Sequence, residues 1–111
     1  MNATIWHNPK CGTSRNALAL LQEAGAEVTI VEYLRDPPTP DELKRIFRKA
    51  GITPHQGLRK KEQAAADLAS ASEDEVIDAM MLNPVLIERP LVETERGAVL
   101  ARPAERVRDI L

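Results

Sequence analysis

Cys11 is the only cysteine of the chain, and it lies where a short apolar segment gives way to an amphipathic one. If a strand ends and a helix begins at this point, the sulfur lies beside the unpaired N–H groups of the helix N-terminus. Those groups favour a thiolate over a thiol. His7 comes four residues before the cysteine and Arg15 four residues after it. This polar, cation-bearing setting predicts a reactive nucleophile rather than an inert buried thiol.

The cysteine count limits the chemistry that this nucleophile can perform. A redox cycle that ends in a disulfide needs a second thiol, so the resolving thiol for Cys11 must come from another molecule. The two histidines, His7 and His55, are far apart in the sequence, and with a single cysteine they do not make a metal site. We therefore expect thiol chemistry without a metal.

Size and composition narrow the class of protein. With 111 residues and a formal net charge of -2, the chain is expected to form one domain, residues 1–111, and not to bind nucleic acid. No apolar run approaches the roughly 20 residues of a membrane span, and no secretory signal is present. A protein with no membrane segment, no export signal and no disulfide is expected in the cytoplasm.

Hydrophobic patterns predict a strand, a helix and a second strand in the first part of the chain. The first strand spans Ala3 to Trp6, the helix about Thr13 to Ala24, and the second strand Val28 to Leu34. Gly25 is well placed to end the helix. A unit of this order predicts two parallel strands joined by a right-handed crossover.

A helical insert is predicted at about residues 39–83. Thr39-Pro40-Asp41-Glu42 and Ser72-Glu73-Asp74-Glu75 are two capping boxes, and each begins a helix. The polar, alanine-rich stretch from Ile52 to Ala71 predicts short helices and loops between them.

The last part of the chain completes the fold. Leu91 to Thr94 and Ala98 to Ala101 predict a hairpin, and Pro103 begins a terminal helix. With the insert set aside, the order is β-α-β-β-β-α. This order is typical of a thioredoxin-like α/β fold, in which a four-stranded mixed sheet is flanked by helices on both faces.

A series of short motifs runs in order along nearly the whole chain: His7-Asn8-Pro9, Cys11-Gly12-Thr13-Ser14-Arg15-Asn16, Tyr33-Leu34, Pro37-Pro38-Thr39, Leu58-Arg59-Lys60, Ile87-Glu88-Arg89-Pro90 and Arg102-Pro103. Together these motifs resemble the glutaredoxin-dependent arsenate reductase family of the thioredoxin-like superfamily, which is related to the Spx-like regulators. The segment from Lys61 to Glu75 is shorter than in better-known members of that family.

The resemblance implies a function and a set of residues. It implies that Cys11 attacks arsenate as a thiolate, with no bound cofactor, that glutathione is the co-substrate, and that a glutaredoxin resolves the intermediate. It also implies that His7 helps to keep the thiol ionised and that Pro90 is the cis-proline facing the cysteine. Three arginines would hold the oxyanion: Arg59, Arg89 and Arg102.

Physical chemistry supports part of this assignment. A tetrahedral oxyanion beside a thiolate needs several cations, and arginine supplies two parallel hydrogen bonds as well as a permanent charge. Gly12 is expected to let backbone N–H groups approach the anion. Ser14 is expected to hydrogen-bond the sulfur or cap the helix. Arg15 either contacts the anion or is solvated.

Two other functions remain open. A glutathione-dependent thiol reductase without arsenate activity would keep Cys11 and the arginines. An Spx-like redox regulator that binds RNA polymerase usually carries a Cys-x-x-Cys switch, whose second position is Ser14 here. The missing second cysteine and the matching arginines favour the reductase.

Overall fold

The computed structural model describes residues 1–111, and its centre is one mixed four-stranded sheet. The strands lie in the order β2-β1-β3-β4, where β1 is Asn2–Trp6, β2 Glu27–Val31, β3 Leu91–Thr94 and β4 Gly97–Leu100. β1 pairs with β2 in parallel, whereas β3 is antiparallel to both β1 and β4. The predicted mixed sheet is therefore confirmed.

The helices flank this sheet. They are α1 at Gly12–Glu23, α2 at Pro40–Ala50, α3 at Gln63–Ala66 and α4 at Glu73–Leu82, with 3-10 helices at Pro84–Leu86 and Ala104–Ile110. None of these helices combines the length and the apolar character that crossing a membrane requires. α2, α3 and α4 all lie between β2 and β3 in the chain.

The two faces of the sheet bury separate apolar clusters. Because successive side chains of a strand point to opposite faces, Ile5 lies in one cluster and Trp6 in the other. The Trp6 cluster contains the apolar faces of α2 and α4, and the Ile5 cluster contains those of α1 and the terminal 3-10 helix. Trp6 is 4% exposed and so lies in the core.

The strand registers align one row of residues across the sheet. Trp6, the last residue of β1, pairs with Val31, the last residue of β2, and with Leu91, the first residue of β3. Leu91 in turn pairs with Leu100, the last residue of β4. The row consists of Val31, Trp6, Leu91 and Leu100. The segments that follow β1, β2 and β4, and the segment that precedes β3, therefore all meet at one edge of the sheet.

The second strand is shorter than the sequence predicts. β2 ends at Val31 because its only partner, β1, ends at Trp6, and the last bond of this ladder joins the N–H of His7 to the carbonyl of Val31 at 2.8 Å. Tyr33 and Leu34 lie in a turn beyond the sheet. The sequence pattern predicts a strand that continues through Tyr33 and Leu34, because aromatic and β-branched residues favour strands.

The helix boundaries differ in smaller ways. α1 begins at Gly12, one residue before the predicted start. Ser72 and Glu75 form the full capping box, whereas Thr39 accepts the N–H of Glu42 without a reciprocal side-chain bond. The segment after Pro103 forms a 3-10 helix.

Glu93 of β3 joins the sheet to α2. Its carboxylate accepts hydrogen bonds from Arg45 Nη1 at 2.6 Å and Nη2 at 3.0 Å, and from Lys49 Nζ at 2.7 Å. The hydrogen bonds from Arg45, with a smaller contribution from Lys49, lower the pKa of Glu93 to about 2 despite its partial burial. This ion-pair network fixes α2 against the sheet.

Replacing this carboxylate tests the network. We expect Glu93→Gln to lower the free energy of unfolding at neutral pH by about 1–2 kcal/mol, because Arg45 and Lys49 then face a neutral amide in place of a carboxylate. Since the pKa of Glu93 is depressed in the folded protein, its contribution is present above the ordinary carboxylate pKa and is lost as the pH falls towards about 2.

Urea unfolding of both proteins at a series of pH values measures this difference. We expect the two stabilities to converge on acidification, with Glu23→Gln, an exposed acid without a hydrogen-bond partner, as the control variant. A stability difference that stays constant down to low pH would contradict the assignment.

Candidate active site

Cys11 occupies the N-cap position of α1. Its N–H donates to the carbonyl of Asn8 at 2.9 Å, and its own carbonyl accepts the N–H of Arg15 at 3.0 Å. No side chain caps this helix, so the sulfur lies at a helix start whose first N–H groups lack a side-chain acceptor. The cysteine is 9% exposed, which limits the water around the thiol.

Arg102 connects the sulfur to the segment that precedes β3. Its Nη1 lies 3.9 Å from Cys11 Sγ and donates to the carbonyl of Arg89 at 3.0 Å. The peptide bond from Arg89 to Pro90 is cis, as expected for Pro90. A guanidinium held at this distance places a positive charge beside the sulfur.

The other two arginines carry hydrogen-bond donors without acceptors. Nε of Arg89 and Nε of Arg59 are both buried and make no hydrogen bond. Arg59 Nε lies 3.2 Å from a carboxylate oxygen of Glu62, but off the direction that a hydrogen bond requires. Buried polar groups are nearly always paired in proteins, so these two N–H groups are available to an acceptor that the protein itself does not supply.

His7 pairs with Ser14, which differs from the prediction for Ser14. His7 Nδ1 lies 2.6 Å from Ser14 Oγ, and the same hydroxyl accepts the N–H of Asn8 at 3.1 Å. Ser14 therefore neither caps α1 nor hydrogen-bonds the sulfur, because its fully buried side chain points back to the end of β1. Burial lowers the pKa of His7, against an opposing effect of Glu32, so the imidazole is neutral near pH 7.

Few side-chain contacts are made by three other residues, which are Arg15, Gly12 and His55. Arg15 is exposed and its Nη1 donates to the carbonyl of Pro9 at 2.9 Å. A Cβ added at Gly12 would meet only Arg15 Nη2, at 3.7 Å, so the structure shows no steric need for glycine there. His55 is half-buried with its Nε2 2.8 Å from the carbonyl of Ala71.

Tyr33 is a site residue to which the sequence assigned no role. It is 2% exposed, and burial, followed by the negative charge at Cys11, raises the pKa of its hydroxyl to about 12. The charges of Arg59 and Glu88 also act on this hydroxyl, and Asn8 lies within hydrogen-bonding reach of it. The position of Tyr33 just after β2 could have indicated that it lies in the site, because the ends of the parallel strands β1 and β2 meet at the same edge of the sheet.

The sequence pattern of the ArsC family matches residues 6–110, a range that contains every residue placed in this site. The chain belongs to the ArsC family. The resemblance drawn from the short motifs is therefore confirmed at the level of the family.

Relatives of this ArsC-family chain share most of its length. It is 48% identical to the arsenate reductase of Rhizobium meliloti (strain 1021) over 115 residues, which cover 100% of this chain and 82% of that protein. It is 45% identical to the arsenate reductase of Escherichia coli (strain K12), with 99% and 81% covered. Its fold matches arsenate reductase from Vibrio cholerae with a TM-score of 0.93 and 38% identity, covering 100% and 98% of the two chains.

The Ser14 hydroxyl is the first feature to test. We expect Ser14→Ala to lower the free energy of unfolding by about 1–3 kcal/mol, because it leaves His7 Nδ1 and the N–H of Asn8 without a partner in a buried place. Thermal or urea unfolding measures the change, with Thr13→Ala as the control on the same turn. A loss no larger than that of the control would show that the hydroxyl does not fix the loop.

The contact between Arg102 and the sulfur predicts the reactivity of Cys11. We expect Arg102→Ala to slow alkylation of Cys11 at neutral pH by on the order of ten-fold, because the sulfur loses the positive charge that lies next to it. The rate of modification by iodoacetamide measures this effect. Arg106→Ala is the control, since Arg106 donates to the carbonyl of Leu100 and not to the sulfur. Equal alkylation rates in the two variants would show that Arg102 does not affect the reactivity of Cys11.

Proposed function

We propose that this protein reduces arsenate to arsenite, with Cys11 as the nucleophile. The observation that carries the proposal is the pair of buried, unpartnered guanidinium N–H groups of Arg59 and Arg89 in the cluster that Arg102 joins to Cys11. A tetrahedral oxyanion supplies the missing acceptors, and the names of the relatives give the substrate class.

In the first step the Cys11 thiolate attacks arsenic. A sulfur–arsenic bond forms, an arsenic–oxygen bond breaks, and the leaving oxygen takes up protons and departs as water. Arsenic stays at the same oxidation level in this step. Arg59, Arg89 and Arg102 lower its barrier because they offset the repulsion between thiolate and oxyanion and stabilise the charge that develops on the oxygens. Because burial lowers its pKa, the His7 imidazole is neutral near pH 7 and so is in the form that can act as a base, which is its proposed part in ionising Cys11.

The electrons come from two external thiols, because the chain has no second cysteine. A glutathione thiol displaces a second oxygen as water and binds the arsenic. The thiolate of a glutaredoxin then attacks the glutathione sulfur, which forms a glutaredoxin–glutathione disulfide and leaves an electron pair on arsenic. Water releases arsenite and returns Cys11 to its thiol form. We infer that the reaction takes place in the cytoplasm, where glutathione and glutaredoxin are kept reduced, and that it needs no resident cofactor.

A coupled assay tests the proposal. The mixture holds NADPH, glutathione reductase, glutathione, a glutaredoxin and the protein, and the rate of NADPH oxidation is measured with and without arsenate. We expect turnover that needs arsenate, glutathione and Cys11 together, and that Cys11→Ser abolishes.

Failure of this assay is informative. If the folded wild-type protein forms a glutathione adduct on Cys11 but shows no arsenate-dependent oxidation, the protein is a thiol reductase or a regulator. The guanidinium groups would then serve another anion or the protein structure alone.

A further inference from the structure

Glu88 places a carboxylate among the cations of the site. Its side chain is 20% exposed, and its Oε1 lies 3.6 Å from Arg89 Nη1 and accepts the N–H of Arg89 at 3.3 Å. Both contacts fall on Oε1, and no protein group donates a hydrogen bond to Oε2. At the anion site proposed above, a negative charge opposes anion binding, so its presence needs a reason.

The backbone fixes Glu88 close to the arginines. Leu58 and Ile87 form an isolated antiparallel bridge, in which the N–H of Arg59 donates to the carbonyl of Leu86 and the N–H of Glu88 donates to the carbonyl of Gly57. Leu58 and Ile87 are buried in the core, 5% and 2% exposed. Arg59 follows Leu58, and Glu88 follows Ile87. The charges of Arg59 and Glu88, like that of Cys11, act on the pKa of the Tyr33 hydroxyl.

The site thus places hydrogen-bond donors and the Glu88 carboxylate close together. The Nε groups of Arg59 and Arg89, which make no hydrogen bond, fit the ionised oxygens of a tetrahedral anion. Glu88 Oε2, which no protein group occupies, is free to accept a hydrogen bond from an oxygen that carries hydrogen. We propose that Glu88 is a specificity-determining residue, which accepts a hydrogen bond from a protonated oxygen of the anion and thereby selects hydrogen-bearing oxyanions over fully ionised ones. This inference rests on the proposed binding of an oxyanion beside Cys11.

The selection follows from the charge of the group that meets the Glu88 carboxylate. An O–H group turned towards the carboxylate makes a charge-assisted hydrogen bond, whereas a bare oxygen at the same place meets a like charge. Arsenate and phosphate keep a bound proton at neutral pH, and sulfate, which has the same shape, keeps none. Glu88 therefore excludes sulfate without contacting the central atom.

Protection of Cys11 from alkylation measures binding without turnover. Phosphate and sulfate are the probes, because neither is reduced by a thiol under these conditions. For wild type we expect half-protection at a phosphate concentration at least about ten-fold below that of sulfate. In Glu88→Gln and Glu88→Ala we expect the two concentrations to agree within about two-fold, since the acceptor charge is gone.

The matched control is Glu62→Gln. Glu62 is a second carboxylate beside the arginines, 3.2 Å from Arg59 Nε, and its side chain is 35% exposed. Removing its charge changes the affinity of the pocket for both anions and leaves their ratio as in wild type. Circular dichroism establishes that each variant is folded, and the two Glu88 variants provide independent tests if one of them is not.

Each outcome decides a different claim. A wild-type ratio near unity, a ratio unchanged in the Glu88 variants, or the same change in Glu62→Gln overturns the role of Glu88. If neither anion protects wild-type Cys11, both the anion site and this role are wrong. If the ratio collapses as expected but arsenate is not reduced in the coupled assay, the role of Glu88 stands and the proposed function falls.

Discussion

The site depends on one guanidinium, that of Arg102, which is shared between the sulfur of Cys11 and the backbone carbonyl of Arg89. This contact requires three segments distant in the chain to meet: the start of α1, the turn before β3 and the end of β4. The sheet brings these segments together, because its registers place the ends of β1, β2 and β4 and the start of β3 in one row. The apolar clusters on both faces hold the row in place.

Gathering arginines around a sulfur has an electrostatic cost that the protein offsets in part. Glu62 and Glu88 lie beside Arg59 and Arg89, at 3.2 and 3.6 Å, and reduce the repulsion among the cations. The offset is incomplete, since a buried N–H group on each of these two arginines has no acceptor. In the proposed function, an oxyanion would accept hydrogen bonds from both of these N–H groups and neutralise the positive charge around them.

The sequence predicted the parts of this structure that local chemistry determines. The strand over Leu91 to Thr94 has the predicted bounds, and the capping box at Ser72 begins α4 as expected. The parts that it missed depend on distant partners. β2 ends where β1 ends, Ser14 turns towards His7 because β1 finishes beside α1, and Tyr33 joins the site because the parallel strands share an edge. Arg59 reaches the cluster through the bridge from Leu58 to Ile87, which no local pattern indicates, so only the family resemblance named it.

The central claim is that this cationic edge directs the Cys11 thiolate to arsenic. The most direct measurement is intact-protein mass spectrometry after mixing the protein with arsenate and glutathione in the absence of glutaredoxin, followed by peptide mapping. We expect an adduct that contains both arsenic and glutathione, confined to the peptide with Cys11. A glutathione disulfide on Cys11 with no arsenic at any time point would contradict it.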